Sequence, residues 1–491
     1  MLIMLTRDEI LAVCRRGLEA VVALIQELLA QRAAHEKQIA ALSARITELE
    51  HQLHQDSHNS HKPPSSDGLA KKIRSLRQRT GKKPGGQPGH PGATLRLVEA
   101  PDEVIRHSPA ACTVCGTCLA DTPEIGFERR QMHEIPPLTR VVTEHRALRK
   151  VCPVCQTVTS GAFPPEVSQA VQYGDRLKAT AVYLQDYQLL PFARTCELLE
   201  DLCGVALSEG TLASAQAACY VALAPVEAAI KDALTAAHLA QFDETGLRIE
   251  AKTHWLHVAG TPTLTFYAHH PRRGPLAMDA IGILPGFRGT ALHDCWSAYF
   301  AYPCAHALCN AHLLRELIAI HEQPEQPWAG QMIELLLKIK TAVAAARAAG
   351  APHLEPVVRE AFEARFQELL RAGWQANPPA PRTGRRGPIK QSPARNLLDR
   401  LDKYHRAVLA FTIVLCMDDF AVPFDNNLAE RDLRMVKVRQ KISGCFRSPE
   451  GASYFCRIRG YISTLRKQGD HVLTALQSVF SGKLYMPRLL A

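Results

Sequence analysis

The sequence lacks any apolar run long enough to span a membrane. The longest run, residues 407–417, holds 11 residues and includes Thr412, whereas a bilayer-spanning helix needs about 20 apolar residues. The first residues also lack a basic cluster and a small-residue cleavage site, so we expect no signal peptide. These absences exclude a membrane protein and predict a cytoplasmic chain.

A disulfide framework and internal repeats are missing as well. The chain has 15 cysteines, an odd number in a long sequence without a leader, and this usage favours reduced thiols and metal ligands. Apolar residues make up 46% of the 491 residues, which excludes a wholly disordered chain. At about 100–200 residues per domain, the length predicts three or four structural units.

Acidic residues are absent from one basic stretch, and this uneven distribution is more informative than the net charge of +10. Residues 71–96 contain eight Lys or Arg and no acid, and Lys82 and Lys83 lie within them. Residues 431–467 contain ten basic and two acidic residues. A run like 71–96 is usually a solvated, flexible arm, and such arms often contact polyphosphate. We therefore interpret it as nucleic-acid-binding.

A heptad pattern occupies the N-terminal region. Apolar residues recur every three or four positions from Leu18 to Leu53 and are interrupted at Arg32 and His35, which predicts a long helix with a coiled-coil seam. The seam consists of Val21, Ile25, Leu28, Ile39, Leu42, Ile46 and Leu49. We expect a homo-oligomer formed through this helix. The alternative is an amphipathic helix that packs on its own chain.

Two CxxC pairs follow, at Cys112, Cys115, Cys152 and Cys155. Each pair can present two thiolates to one tetrahedral Zn²⁺, and two pairs complete its four ligands. The β-branched residues of 140–151 predict short strands that bring the pairs together. Ordinary buried cysteines and a redox pair are the alternatives, and Cys118 is a spare thiol near the first pair.

The hydrophobic period changes twice farther along the chain. Residues 175–237 have helical periodicity around a glycine turn, which is typical of a helix-turn-helix or of a plain helical adaptor. A period of two then predicts three strands, at 239–243, 254–259 and 264–269. A fourth strand is predicted at 290–294, and 305–310 is a candidate fifth. Helices are predicted around 275–284, over 312–375 and from about 396 to 476, with a basic linker at 381–395.

Three acidic residues lie at informative positions. Asp243 and Asp294 each end a predicted strand, at the edge where α/β sheets place their sites. Glu430 falls in the first turns of a predicted helix that Asp425 or Asn426 would cap. Three carboxylates from separate elements can form an oxygen cage for Mg²⁺ or Mn²⁺. Their spacing alone fits solvated helix caps equally well.

Longer motifs follow one another in order along the chain. They are the linker signature at 59–68 and 85–92, the two CxxC pairs, Phe242-Asp243-Glu-Thr, Leu292-His-Asp294-Cys-Trp-Ser-Ala-Tyr299 and Asn426-Asn-Leu-Ala-Glu430-Arg-Asp-Leu-Arg434. Together these motifs resemble the transposases of the IS66 class of bacterial insertion sequences, nearly from end to end. His61 departs from the serine that the signature leads us to expect, at a linker position without a catalytic role.

The resemblance implies a DDE transposase whose ribonuclease-H-like core is a mixed five-stranded sheet flanked by helices. Asp243 would lie on the first strand, Asp294 after the fourth and Glu430 on a helix behind the sheet. They would bind Mg²⁺ or Mn²⁺ for DNA cleavage and 3′-end transfer by a two-metal-ion mechanism. The implied partners are element ends, target DNA and small accessory proteins, in the bacterial nucleoid. A repurposed, inactive DNA-binding protein and a simple nuclease are the alternatives.

Further residues in or beside these motifs are interpreted from their positions. Cys309 and His312 resemble a Cys-x-x-His element that follows the second aspartate in several DDE families, and we interpret them as structural. Trp296 and Tyr299 are interpreted as core residues rather than base-stacking groups. Basic residues after Glu430 would position phosphates, namely Arg431, Arg434, Lys437, Arg439, Lys441 and Arg447.

The predicted fold class is a multidomain chain with α+β and α/β parts. We expect a coiled-coil helix at 1–55, a basic Pro- and Gly-rich linker at 56–100, a zinc-binding domain at 101–165 and the helical region, with its helix-turn-helix candidate, at 166–237. The catalytic core would comprise 238–311 and 396–465. A helical insertion with a basic linker, 312–395, would interrupt the core, and a C-terminal tail, 466–491, would follow it.

Overall fold

The computed structural model describes residues 7–53, 55–56, 58–60, 89, 94–351, 353–380, 389, 391–412 and 422–489. The predictions for Lys82, Lys83 and most of the basic arm at 71–96 therefore lie outside the described residues. The same holds for most of the linker signature, including His61.

The N-terminal region forms two helices. Helix α1 (Arg7–Arg15) ends before Gly17, which has a φ of 104°, and helix α2 (Leu18–Leu53) spans the whole predicted heptad region. The predicted seam is solvent-exposed along α2, with Ile25 51% and Leu42 64% exposed. Within the described part of the chain these side chains are therefore not buried against their own fold, and the coiled coil stays a prediction.

The cysteine-rich segment contains a short hairpin. Strands β1 (Arg149–Val151) and β2 (Val158–Ser160) pair antiparallel on either side of the second CxxC pair. The predicted strand at 140–151 is thus confined to its last three residues. The remaining β-branched residues have no apolar layer to pack against, since Val141 and Val142 are 88% and 81% exposed.

Four of the described helices lie between the short hairpin and the main sheet. The first is extended by a π-helical turn, Tyr183–Tyr187. The helices are α3 (Asp175–Val182), α4 (Phe192–Cys203), α5 (Glu209–Ala222) and α6 (Ala224–Thr235). Gly204 ends α4 in the left-handed conformation with a φ of 63°, and the Ser208 hydroxyl caps α5 by accepting from the backbone N–H of Thr211.

A mixed five-stranded sheet forms the centre of the fold, as expected. Its order is β5-β4-β3-β6-β7, in which the β3–β4 and β4–β5 pairs are antiparallel and the β3–β6 and β6–β7 pairs are parallel. The strands are β3 (Leu239–Ile249), β4 (Lys252–Gly260), β5 (Thr265–His270), β6 (Thr290–His293) and β7 (Ala305–Leu308). All five lie at the positions expected from the sequence.

Strand β3 is longer than predicted, which corrects the position of Asp243. The strand continues to Ile249 and turns directly into β4 through Glu250 and Ala251, whose φ angles are 49° and 61°. Two left-handed residues suit a tight hairpin turn. Asp243 therefore lies inside β3 rather than at its end, while Asp294 follows β6 as predicted.

Nine helices are described after the start of the sheet. They are α7 (Pro275–Ile281), α8 (Asn310–His321), α9 (Pro327–Ala348), α10 (Pro356–Ala376), α11 (Pro393–Lys403), α12 (His405–Val408), α13 (Asn427–Ser443), α14 (Pro449–Gln468) and α15 (Val472–Phe480). Helices α8 to α12 share one hydrophobic core with β6 and β7, so the segment assigned to an insertion packs on the sheet.

The segment that we expect to be a C-terminal tail is packed into the fold. Helix α15 buries Val472, Leu476 and Val479 in the core that it shares with α3 and α6. Helix α14 joins this layer to the preceding helices, because Arg457 forms an ion pair with Glu227 at 2.7 Å. The apolar stripe of α15, rather than the chain end, determines this packing.

No single helix among the described residues is long and apolar enough to cross a bilayer. Helices α5 and α6 together pass by length and composition alone, with a 50° bend between them.

We predict that Gly289→Ala destabilises the fold. A Cβ atom at Gly289 would lie 2.5 Å from the carbonyl oxygen of His238 and closer still to that of Ala237. The Thr290 N–H donates to the same His238 oxygen at 2.8 Å, so β6 cannot move away without losing that bond. Overpacking of this kind costs about 1–3 kcal/mol. Thermal unfolding of the full chain measures the resulting decrease in Tm.

Gly246→Ala is the matched control, because no atom lies within 4 Å of a Cβ built at that strand position. Equal Tm values for the two variants would contradict the predicted clash.

Candidate active site

Asp243 is presented by the central strand of the sheet. Along β3 the side chains alternate between faces: Ala240 and Phe242 enter the core that contains α6 and α7, whereas Leu247 and Ile249 pack against α13. Asp243 therefore faces the α13 side of the sheet. It is half-buried there, and its carboxylate accepts from the backbone N–H of Glu244 at 2.8 Å.

Asp294 reaches the same place from the neighbouring strand. The last pair of the parallel ladder is Gln241 with Leu292, and Asp243 and Asp294 each lie two residues beyond it. The chain turns sharply after Asp294, because Cys295 has a φ of 72°. The Asp294 carboxylate accepts from the backbone N–H of Trp296 at 3.2 Å, which orients it within this turn.

A buried histidine pair supports the turn from behind. The Cys295 N–H donates to Nδ1 of His293 at 3.2 Å, and Nε2 of His293 lies 3.1 Å from Nδ1 of His306. Burial and the nearby His306 lower the pKa of His293 to about 3, so the ring is neutral. Its proton then lies on Nε2, where it is donated to His306, and His293 acts as a fixed acceptor for the strained turn.

Glu430, on helix α13, is the third of the predicted carboxylates, and its charge acts on Asp243. Asn426, next to the start of α13, donates its side-chain amide to the carbonyl of Phe242 at 2.8 Å. Its backbone N–H donates to the Cys309 thiol sulfur at 3.2 Å. These bonds join α13 to β3 beside Asp243. Of the two predicted caps, Asp425 accepts from the Asn427 N–H at 3.3 Å, whereas Asn426 makes no side-chain cap.

The three carboxylates repel one another. Burial raises the pKa of Asp243 well above its ordinary value, and the negative charges of Glu244 and Asp294 raise it further. Burial also raises the pKa of Glu430, while the cations of Arg315 and Arg434 oppose the increase. A cluster of like charges in partly buried positions favours a bound cation or shared protons.

Cys309 and His312 lie beside the third carboxylate. Their ligand atoms and those of Glu430 lie within 4.8 Å of one another, as one group of three potential metal ligands among the described residues. Nε2 of His312 is 3.8 Å from Glu430. Burial raises the pKa of the Cys309 thiol to about 12. The thiol is therefore protonated at neutral pH and supports Asn426 as an acceptor, which fits the predicted structural role.

Sequence reasoning missed a fourth carboxylate, Glu244. Its side chain is 1% exposed and forms an ion pair with Arg273 at 2.6 Å. It also accepts a hydrogen bond from the Tyr299 hydroxyl at 2.5 Å. Adjacency to Asp243 is a signal that could have identified Glu244. Arg273 carries no such signal, because it lies 29 positions away in a loop.

The basic residues near the carboxylates differ in what their side chains contact. Helix α8 contributes Arg315, which sequence reasoning missed and whose charge acts on Glu430. Two of the predicted DNA-contacting residues are engaged by the protein itself: Lys437 donates to the carbonyl of Gly246 at 3.0 Å, and Arg439 stacks 3.6 Å above the Phe446 ring centroid. Lys437 is nevertheless exposed, as are Arg431, Arg434, Lys441 and Arg447.

The two CxxC pairs adopt the same local geometry. In each, the carbonyl of the first cysteine, Cys112 or Cys152, accepts from the backbone N–H four positions later. The thiol of Cys115 or Cys155 lies 3.2 Å from the hydroxyl of Thr117 or Thr157. These hydroxyls lower the pKa of both thiols to about 7. Among the described residues the four thiols do not form a close ligand group, so zinc binding stays a prediction.

Comparison with known proteins identifies a family for this chain. Residues 170–454 match the Transposase IS66 family, and residues 13–96 match a family of unknown function. No curated protein matches.

Among solved structures, the chain is 18% identical to one in the cryo-EM structure of the simian T-cell lymphotropic virus intasome with PP2A regulatory subunit B56 gamma, with a TM-score of 0.13. That match covers 32% of this chain and 58% of the other. The family match contains Asp243, Asp294 and Glu430 and spans more than half of the sequence. The chain belongs to the IS66 family of transposases.

Proposed function

We propose that the protein is a DDE transposase that cleaves DNA at the ends of its mobile element and transfers the freed 3′ ends to target DNA. The observation that supports this proposal is that Asp243, Asp294 and Glu430 come from three separate elements, where the central parallel strands and α13 approach each other. The charges of Asp294 and Glu430 both raise the pKa of Asp243, although the three carboxylates do not form a close ligand group among the described residues. The sheet, with three antiparallel strands followed by two parallel ones, supports a ribonuclease-H-like core.

The donor atoms suit Mg²⁺ or Mn²⁺. Carboxylate oxygens are the ligands that these ions prefer, and Oε1 of Glu430 is buried without a hydrogen-bond partner among the described residues. Two bound ions would activate the attacking water or 3′-hydroxyl and neutralise the leaving oxygen of the phosphodiester. Asp243, Asp294 and Glu430 would hold these ions.

The cations around the carboxylates would position the DNA backbone. Arg315 on α8 and Arg434 on α13 both act electrostatically on Glu430, so they can neutralise phosphates close to the reacting one. Arg431, Lys441 and Arg447 extend this exposed basic surface. Such contacts fix register on DNA without reading its sequence. Arg439 is outside the proposed set, because its guanidinium stacks on core aromatic rings.

The other regions would hold DNA and partner chains. The basic arm with Lys82 and Lys83 and a zinc-bound cysteine segment would contact element ends. Helices α4 and α5 together contain Arg194 as their only basic residue and four acids, which supports a helical adaptor over a DNA-reading helix-turn-helix. Helix α2 would pair protomers so that two element ends are held together, with accessory proteins of the element as further partners.

Asp243→Asn, Asp294→Asn and Glu430→Gln are each expected to reduce cleavage and strand transfer by roughly 10³-fold or more, because each removes a charged metal ligand. Cleavage and joining of labelled element-end DNA in Mg²⁺ measure both steps. Glu250→Gln, in the exposed β3–β4 turn, is the control. Wild-type activity in any of the three would refute the catalytic assignment. Cleavage without joining would indicate a nuclease instead.

Purified protein is expected to contain one zinc ion per chain by elemental analysis, and Cys152→Ser is expected to remove it, because a tetrahedral site needs all four ligands. The zinc affinity should decrease as pH falls below the thiol pKa of about 7 of metal-free Cys115 and Cys155, since protons compete with the metal for thiolates. Cys118→Ser is the control. Unchanged zinc in Cys152→Ser would contradict the four-cysteine site.

The double variant Ile25→Glu/Leu42→Glu is expected to weaken self-association by more than about 100-fold, because each change would bury a carboxylate in the helix seam. Light scattering of the full chain over a concentration series measures the oligomeric state. Ala30→Glu/Ala40→Glu adds the same charges to α2 outside the seam and serves as the control. A monomeric wild-type protein, or equal association of both variants, would contradict the coiled coil.

A further inference from the structure

Glu244 is a carboxylate next to the proposed metal ligands that cannot itself be one. It follows Asp243 in β3 and faces the opposite side of the sheet, with a side chain that is 1% exposed. Oε1 accepts two hydrogen bonds from Arg273, at 2.9 and 2.6 Å, and Oε2 accepts one from Tyr299 at 2.5 Å. Because both oxygens are engaged, Glu244 acts on the site only through its neighbours and its charge.

Arg273 is held rigidly although it comes from a loop. Its guanidinium carbon lies 4.8 Å from the ring centroid of Trp255 and 4.2 Å from that of Trp296, so two indole rings flank it. Cation–π contacts of this kind favour one orientation of the planar guanidinium. The loop between β5 and α7 thereby places the positive charge of Arg273 next to Glu244.

The same residues reach Asp294. The backbone N–H of Trp296 donates to the Asp294 carboxylate at 3.2 Å, while the Trp296 ring packs on Arg273. Tyr299, from the same turn, bonds Glu244 and stacks on His293 with ring centroids 4.5 Å apart. A continuous set of contacts thus joins β3 beside Asp243 to the turn that carries Asp294.

We propose that Glu244, Arg273, Trp296 and Tyr299, here named the Glu244 clamp, are positioning residues that hold the two catalytic aspartates at the separation that metal binding requires. The need for such a clamp follows from the site: Asp243 and Asp294 repel each other, and the turn after Asp294 contains the left-handed Cys295. Residues that contact metal ligands, without binding the metal themselves, commonly fix the orientation of those ligands in this way. The proposal rests on the transposase function above.

Mn²⁺ binding to the full-length protein, followed by the electron paramagnetic resonance signal of free Mn²⁺, tests the clamp without DNA. Arg273→Met and Glu244→Ala are each expected to weaken Mn²⁺ binding about 10-fold or more, the usual range for residues that orient metal ligands. The double variant should lose little Mn²⁺ affinity beyond the loss in either single variant, because both changes break the same contact between Arg273 and Glu244. Arg273→Lys, which keeps the charge but not the planar fork, should recover part of the affinity.

Arg272→Met is the matched control, because its exposed side chain lies in the same loop. Circular dichroism and Tm are measured for every variant. Tyr299→Phe, which removes only a hydroxyl, supplies a second variant of the same link if Arg273→Met does not fold. Binding within about twofold of wild type in folded Arg273→Met or Tyr299→Phe, or an equal loss in Arg272→Met, would overturn the clamp.

The wild type and Asp243→Asn separate this inference from the proposed function. If wild-type binding of Mn²⁺ does not depend on Asp243, the metal site itself is wrong and the clamp fails with it. If wild-type binding depends on Asp243 and the clamp variants bind normally, only the clamp is wrong.

Discussion

The parallel pairing of β3 with β6 is the constraint on which the active site depends. It places Asp243 and Asp294, 51 positions apart in sequence, two residues beyond the same pair of the ladder. The approach is close enough that Gly289 has no room for a side chain beside the start of β3. A one-residue slip would send one aspartate to the opposite face, so the register of this pair determines whether a shared carboxylate site exists.

Once the carboxylates are adjacent, their charge determines what surrounds them. Burial and the neighbouring carboxylates raise the pKa of Asp243, while burial and the charge of Asp425 raise that of Glu430. Arg273 neutralises Glu244 behind the sheet, while Arg315 and Arg434 lie near Glu430 in front of it. The modest net charge of the chain therefore conceals a local balance, in which fixed cations leave a remaining negative charge that suits the proposed metal ions.

Sequence reasoning recovered the features that local periodicity encodes. Period-two alternation located the first three strands of the sheet, and the heptads located α2 to its boundaries. It failed where a tertiary contact decides the outcome. The tight turn at Glu250 and Ala251 lengthens β3 past Asp243. A contact with Phe446 turns Arg439 inward, although Lys437 and Lys441 on the same helix are exposed. Residues from distant segments, such as Arg273, carry no sequence signal for their partner.

The gap of 136 positions between Asp294 and Glu430 also has a physical explanation. The intervening helices begin after Cys309 and end before Asn426. These two ends are joined, because the Asn426 N–H donates to the Cys309 sulfur and the Asn310 N–H donates to the Phe424 carbonyl at 3.0 Å. Closing a longer loop costs little extra entropy. Because the ends are fixed beside β3, the length of the inserted helices does not determine where Glu430 lies.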